Sequence, residues 1–209
     1  MTCIHPQRRI DGREVIINTP STATAPSKWA AQSEQATVTP QAELPSNLNN
    51  LPLSCGAAQL PLWEQRAEHA EFDEPPFESH GLTPAAGTVL LEPDGRIWIV
   101  HPTNQFAGYS ATFPKGTQDA GRSLRATAVR ECFEESALLA ELTSWLGDVD
   151  RSASRTRYYL ARRVGGTPAD MGWESQAVSL VPARLLGDLL TSPHDQPLLQ
   201  LLRQQLITN

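Results

Sequence analysis

The run Arg130-Glu131-Cys132-Phe133-Glu134-Glu135 places three carboxylates within five positions. On a helix, residues three and four apart share a face, so Glu131, Glu134 and Glu135 would converge on one patch. Carboxylates crowded in this way repel one another unless a cation lies between them. Hard divalent ions, Mg²⁺ above all, take such oxygen ligands together with substrate phosphates. Upstream stands Phe113-Pro114-Lys115-Gly116, a turn whose Lys115 can meet a phosphate as a point charge. The residue types point to a divalent-metal site for a phosphorylated substrate. The bland alternative is a solvated acidic helix face, the commonest meaning of clustered charge.

The same stretch resembles the signature box of the Nudix hydrolases, Gly-x5-Glu-x7-Arg-Glu-U-x-Glu-Glu-x-Gly-U, where U is a bulky apolar residue. With Gly116 at its start, Arg130 and Glu131 fall on the Arg-Glu pair, Cys132 on the first U, Glu134 and Glu135 on the double Glu, and Leu138 on the last U. Two positions depart. Arg122 stands where the early Glu is expected, and Ala137 where the last Gly is expected. The box covers residues 116–138, and the Phe-Pro-Lys-Gly lead-in is similar to that of several Nudix subfamilies.

The resemblance implies an α+β Nudix fold, a mixed β-sheet sandwiched between helices. It implies a pyrophosphohydrolase, acting on an acid anhydride in the diphosphate of a nucleoside diphosphate linked to another group. ADP-ribose-like molecules, dinucleoside polyphosphates and inositol pyrophosphates are the candidate substrates. By the same resemblance Glu131, Glu134 and Glu135 ligate Mg²⁺, with Mn²⁺ as the other candidate, and Arg130 fixes them by hydrogen bonding. A carboxylate steers the attacking water as general base, with Glu135 the first candidate and Glu174 the second. Glu174 stands beside Trp173 ahead of a strand, and its bland reading is an exposed loop-end Glu. Lys115 is expected on a substrate phosphate.

Arg122 admits several readings. It points to solvent while another acid, such as Asp119, supports Arg130. Or its planar fork holds a substrate phosphate. Or the box is weakened, and the chain is a non-catalytic Nudix module that binds a nucleotide such as ADP-ribose as a sensor. An Arg cannot accept the hydrogen bond that a Glu here would accept from Arg130. On that ground Arg122→Glu is expected to tighten the site. Ala137 is expected simply to extend the helix.

The elements that must position these residues lie after His80. Ala85–Leu91 and Arg96–His101 read as strands joined by the Glu92-Pro93-Asp94-Gly95 turn. Ser123 is a fair N-cap for a helix running to about Leu139. Further strands are expected over 141–149, 154–164 and 173–181, and Leu-rich helices over 182–190 and 196–206. Trp98, Phe106 and Tyr109 are aromatic candidates to stack on a base, though such residues near strand ends more often belong to the core. His80, His101 and His194 have no ligand spacing and read as structural.

The chain has 209 residues, with 40% hydrophobic residues and a net charge of −6. Residues 1–80 hold 5 Lys/Arg against 10 Asp/Glu and nine of the 17 prolines. This stretch reads as an extension that packs on the core or stays disordered, and residues 81–209 as the Nudix domain. A weak hairpin is expected over 8–18, a short helix around 28–35 and a helix over 60–72. A chain starting near Ser79 is expected to fold. The sharper reading of the extension is a lid or the arm of a homodimer. Neither part is basic enough for a nucleic-acid-binding surface, so the expected partner is a small nucleoside diphosphate derivative. Cys3, Cys55 and Cys132 cannot all pair, and no apolar run approaches a membrane span or a secretory signal. A cytoplasmic setting is expected, with no membrane partner.

Overall fold

The computed structural model describes residues 2–208. In chain order its elements are β1 (Cys3–Ile4), β2 (Ile16–Ile17), β3 (Ala36–Val38), β4 (Asn47–Leu48), β5 (Leu51–Pro52), α1 (Leu60–Glu68), β6 (Thr83–Leu91), β7 (Arg96–Pro102), β8 (Lys115–Thr117), α2 (Leu124–Ser136), β9 (Leu138–Asp150), β10 (Ser154–Gly166), β11 (Ser175–Pro182), α3 (Leu186–Leu189) and α4 (Gln196–Thr208). The central sheet runs β3-β11-β7-β6-β10-β9, with β8 paired to β6. Strands β6 and β10 are parallel, with Tyr158 opposite Gly87. The other pairings in this sheet are antiparallel.

Side chains on a strand alternate between the two faces, and here each face carries its own core. Leu90, Trp98, Val100, Tyr159, Ala161, Val178 and Leu180 point to the side closed by Trp63 and Ala67 of α1 and by Ala128, Val129 and Cys132 of α2. Their neighbours Val89, Ile97, Ile99, Tyr158, Leu160 and Val181 point to the side closed by Leu186, Leu198, Leu199 and Leu202. The result is the expected mixed sheet between helices. Cys132 is fully buried, a core residue as its apolar box position suggested. No helix among the described residues is long and apolar enough to cross a membrane.

The first 80 residues are built into this sandwich. Strand β3 adds an edge to the sheet, Thr37 lying opposite Ser179 of β11. Trp29 is 2% exposed and its ring lies 6.0 Å from that of Trp98. Arg163, itself buried, donates to the carbonyls of Leu48 and Pro52 and pairs with Glu92, which also takes a hydrogen bond from Asn49. Of the expected local elements, the turn at Asp11-Gly12 forms, but the paired arms lie further out, with Cys3 opposite Ile17. The helix near residue 28 is only a 3-10 turn, Pro26–Lys28.

Candidate active site

Strand β8 brings the Lys-Gly turn alongside the helix that carries the carboxylates. Its Gly116 pairs with Ala86 and its Lys115 with Gly87 of β6. A Cβ on Gly116 would collide with the Glu131 carboxylate. Glycine at this position therefore lets Glu131 lie directly against the β8 backbone. Helix α2 starts where expected, with the Ser123 Oγ accepting from the Ala126 amide at 3.1 Å. It ends earlier than expected. Ala137 does not extend the helix but takes the left-handed conformation, φ 54°, and the chain turns at once into β9.

Glu131, Glu134, Glu135 and Glu174 come together, with Lys115 facing them. Burial, then the charges of Glu135, Glu134 and Glu174, push the Glu131 carboxyl up to about 8. Burial pushes Glu135 up to about 7, and the Lys115 charge and its backbone amide, 3.4 Å from Oε2, pull it partly back. Glu174 reaches the cluster from an exposed position, and its carboxyl is raised by desolvation and by Glu134. The segment carrying it is pinned from two sides. The Gly172 amide donates to the Glu134 carbonyl at 3.0 Å, so close that a Cβ on Gly172 would collide with that oxygen. The Thr103 amide donates to the Glu174 carbonyl at 2.8 Å.

This donor set is all carboxylate oxygen, the chemistry that suits a hard divalent cation. Among the described residues no three His, Cys, Asp or Glu side chains are arranged, as they lie, so that they could hold a metal ion. The carboxylates instead form a crowded cluster whose mutual repulsion a cation would relieve.

The arginines are placed in a way the box pattern does not reveal. Arg130 donates through Nε to Glu64 Oε1 at 2.7 Å and through Nη2 to Glu64 Oε2 at 3.2 Å. Its Nη1 reaches Glu134 Oε1 at 3.4 Å. Arg122 Nη1 meets the same Glu64 Oε1 at 2.6 Å, and its Nε lies 3.7 Å from Asp119. Asp119 thus accompanies Arg122 and not Arg130. Arg122 does not point freely to solvent, since its guanidinium is engaged with α1.

Sequence reasoning missed Glu64 and Gly172. Glu64 lies in a stretch that reads as helical, but no spacing ties it to the box, because the connection spans 66 positions. Gly172 shows its role only through the approach of its backbone to α2. Of the aromatic candidates, Trp98 is buried and its indole donates to Glu92. Tyr109 lies under the Arg151 guanidinium, and Phe106 is exposed on the turn after β7. His101 bridges Ser110 and Ser179, and His194 contacts the Asp150 carbonyl, both structural roles.

A family model described as NUDIX domain matches residues 81–202. Over 68 residues the chain is 37% identical to the RNA pyrophosphohydrolase of Caulobacter vibrioides, covering 30% of this chain and 40% of that one. Over 72 residues it is 36% identical to the Xenopus laevis protein called nucleoside diphosphate-linked moiety X motif 6, covering 34% and 32%. The chain thus matches less than half the length of these curated relatives. Among solved structures, a binary complex of a C. elegans Ap4A hydrolase aligns at a TM-score of 0.49 and 19% identity, covering 60% of this chain and 99% of that one. A NUDIX hydrolase from Nitrosomonas europaea aligns at 0.49 and 13%, covering 59% and 90%.

Proposed function

The chain belongs to the NUDIX domain family, and from that premise we propose that it is a divalent-metal-dependent hydrolase cleaving the diphosphate of a nucleoside diphosphate joined to another group. The observation that carries this reading is the gathering of Glu131, Glu134, Glu135 and Glu174 in one cluster with Lys115 against it. The first three carboxylates, with Glu174 beside them, would hold Mg²⁺ or Mn²⁺. Such an ion, when bound, neutralises charge on the phosphates and acidifies a bound water.

The chain's own groups have distinct tasks in this reading. Glu135 accepts the proton of the attacking water. It is held against the Lys115 amide and has a carboxyl raised towards neutral pH, where a general base works best. Glu174 is the second candidate for that task. Lys115 binds a phosphate oxygen through its ammonium. Arg130 fixes the Glu134 carboxylate. The sensor alternative rested on Arg122 replacing the early box Glu, and the carboxylate missing there is supplied to Arg130 by Glu64.

The test is metal-dependent release of phosphate products from a panel containing ADP-ribose, dinucleoside polyphosphates and inositol pyrophosphates. An RNA substrate joins the panel because the Caulobacter relative is named for RNA. Turnover of one member in Mg²⁺, abolished by EDTA, is expected. Tight nucleotide binding with no turnover of any member would overturn the hydrolase in favour of the sensor.

A further inference from the structure

Glu64 lies outside the box, and the reading above gives it no task beyond its contact with Arg130. It sits on α1, within the first 80 residues, and its side chain is 15% exposed. One of its oxygens receives both Arg122 Nη1 at 2.6 Å and Arg130 Nε at 2.7 Å, and the other receives Arg130 Nη2 at 3.2 Å. Charge-assisted contacts of this forked kind fix orientation as well as adding energy. Two guanidinium groups thus meet on one carboxylate. Without that carboxylate they would face each other as like charges, and Arg130 would lose the partner that sets its direction.

Arg130 in turn reaches Glu134, one of the clustered carboxylates. The route runs from Glu64 to Arg130 to Glu134. Helix α1 is fastened beside this route by a further contact, the Ser123 hydroxyl at the α2 N-terminus donating to Glu68 at 2.7 Å. Glu64 and Glu68 are one helical turn apart, so a single face of α1 grips both the start of α2 and its arginine.

We infer that Glu64 is a positioning residue of the site: the N-terminal segment supplies, from outside the box, the carboxylate that holds Arg130, and through it Glu134. This inference rests on the hydrolase reading for its catalytic consequence but not for its structural one. Arg122 is explained by the same arrangement. With Glu64 in place, a second acid at position 122 would add repulsion, whereas an arginine adds a second clamp on Glu64. The departure at position 122 and the acid on α1 thus form one exchange of charges.

The test uses the full chain and four variants: Glu64→Gln, Glu64→Ala, Glu64→Ala with Arg122→Ala, and Glu64→Ala with Arg122→Glu. Mn²⁺ binding is followed by calorimetry, turnover by the substrate panel, and Arg130 by its Nε–H resonance. Circular dichroism confirms the fold of each variant. Glu64→Gln keeps the shape of the side chain and should weaken Mn²⁺ binding at least threefold. It should lower kcat more than tenfold with little change in KM, and make the Arg130 Nε–H exchange quickly with water. Arg122→Glu in the Glu64→Ala background returns a carboxylate to the same neighbourhood, so it should recover at least half of the lost Mn²⁺ affinity. Arg122→Ala in that background should recover none. Rescue by relocating the charge cannot come from packing by α1 alone. Wild-type Mn²⁺ affinity and a protected Arg130 in Glu64→Gln would overturn the inference, and so would a relocated carboxylate that rescues no better than alanine. A wild type that turns over nothing defeats the hydrolase reading alone, since Mn²⁺ binding and the Arg130 resonance still decide the role of Glu64.

Discussion

Replacing Trp29 by alanine probes whether the first 80 residues belong to the folded unit. Trp29 is 2% exposed, its ring lies 6.0 Å from Trp98, and its indole donates to the Thr24 carbonyl at 3.2 Å. The substitution removes the indole from a cluster that also contains Val38, Leu48, Trp63 and Trp98. Truncating a buried aromatic to alanine costs about 3–5 kcal/mol, combining lost transfer energy with a cavity that relaxes only in part. The Trp29 carbonyl still accepts from the buried Arg96 at 2.9 Å, so no charge is stranded and the cost stays within that range. For a chain of this size each kcal/mol moves the melting temperature by about 2–4 °C, so a fall on the order of 10 °C is expected. Thermal and urea unfolding, followed by circular dichroism, measure it. A chain begun at Ser79 loses this contact together with the β3 edge, Glu64 and the carbonyl partners of Arg163, and we expect it to show no cooperative melt. That reverses what composition alone suggested. A Trp29→Ala protein within about 0.5 kcal/mol of wild type, the range of ordinary surface changes, would refute the reasoning, as would a cooperative melt of the chain begun at Ser79.

Glu134→Gln and Glu135→Gln should each lower kcat by a factor on the order of hundreds with the fold intact, as loss of a transition-state contact does; unchanged turnover in either ends its assignment. Arg122→Glu alone, expected from the box pattern to help, should instead weaken Mn²⁺ binding, because the new carboxylate faces Glu64 where Arg122 now lies 2.6 Å from it; tighter Mn²⁺ binding in this mutant would contradict the placement. Ala137→Gly should stabilise the protein by about 1 kcal/mol, since the left-handed residue that ends α2 carries a Cβ penalty, and a lower melting temperature would show that the Cβ is needed. In EDTA, stability should fall as pH rises from 6.5 towards about 8.5. Glu131 and Glu135, raised to about 8 and about 7, keep protons in the folded chain that the unfolded chain has released, so stability declines through that window. Below 6.5 the trend should flatten, because burial lowers the pKa values of His5 and His101 and the unfolded chain takes up the protons they refuse, offsetting those the carboxyls hold. Melting temperatures that stay flat from pH 6.5 to about 8.5 in EDTA would show that burial and mutual repulsion do not raise these carboxyls.

The domain's order of elements could be read from sequence because its signals are local. Turn residues at Pro93, Asp94 and Gly95 bracket two strands, Ser123 caps a helix, and Leu-rich runs close the chain. The N-terminal segment hid its structure because its strands are two or three residues long and the one that joins the central sheet, β3, pairs at long range. Strand β3 is three residues, held by partners at Val178, Ser179 and Leu180. No periodicity can register over three residues, so a Thr- and Pro-rich composition reads as linker while Trp29 and Val38 complete a core. The end of α2 was missed for a different reason. Alanine favours helix, and only the demand that Leu138 begin β9 forces Ala137 into a left-handed turn.

The carboxylates were legible because helical spacing places them on one face, and Lys115 because it stands in the Phe-Pro-Lys-Gly lead-in, although that stretch forms strand β8 where a turn and loop were expected. Glu64 was not, and the difference is one of physical range. Spacing arguments reach across one helix or one hairpin, while an ion pair between α1 and α2 depends on how two helices dock. The sequence does carry a trace of that docking. Arg122 and Arg130 are two cations near the start and middle of one helix segment, with only Asp119 and the clustered carboxylates close by in sequence. Guanidinium groups at 25% and 30% exposure need a shared counter-charge, because a partly buried cation without one is costly. An arginine found where a family places its acid is therefore a reason to look for that acid elsewhere in the chain. The place to look is a helical stretch with unassigned carboxylates one turn apart, as Glu64 and Glu68 are.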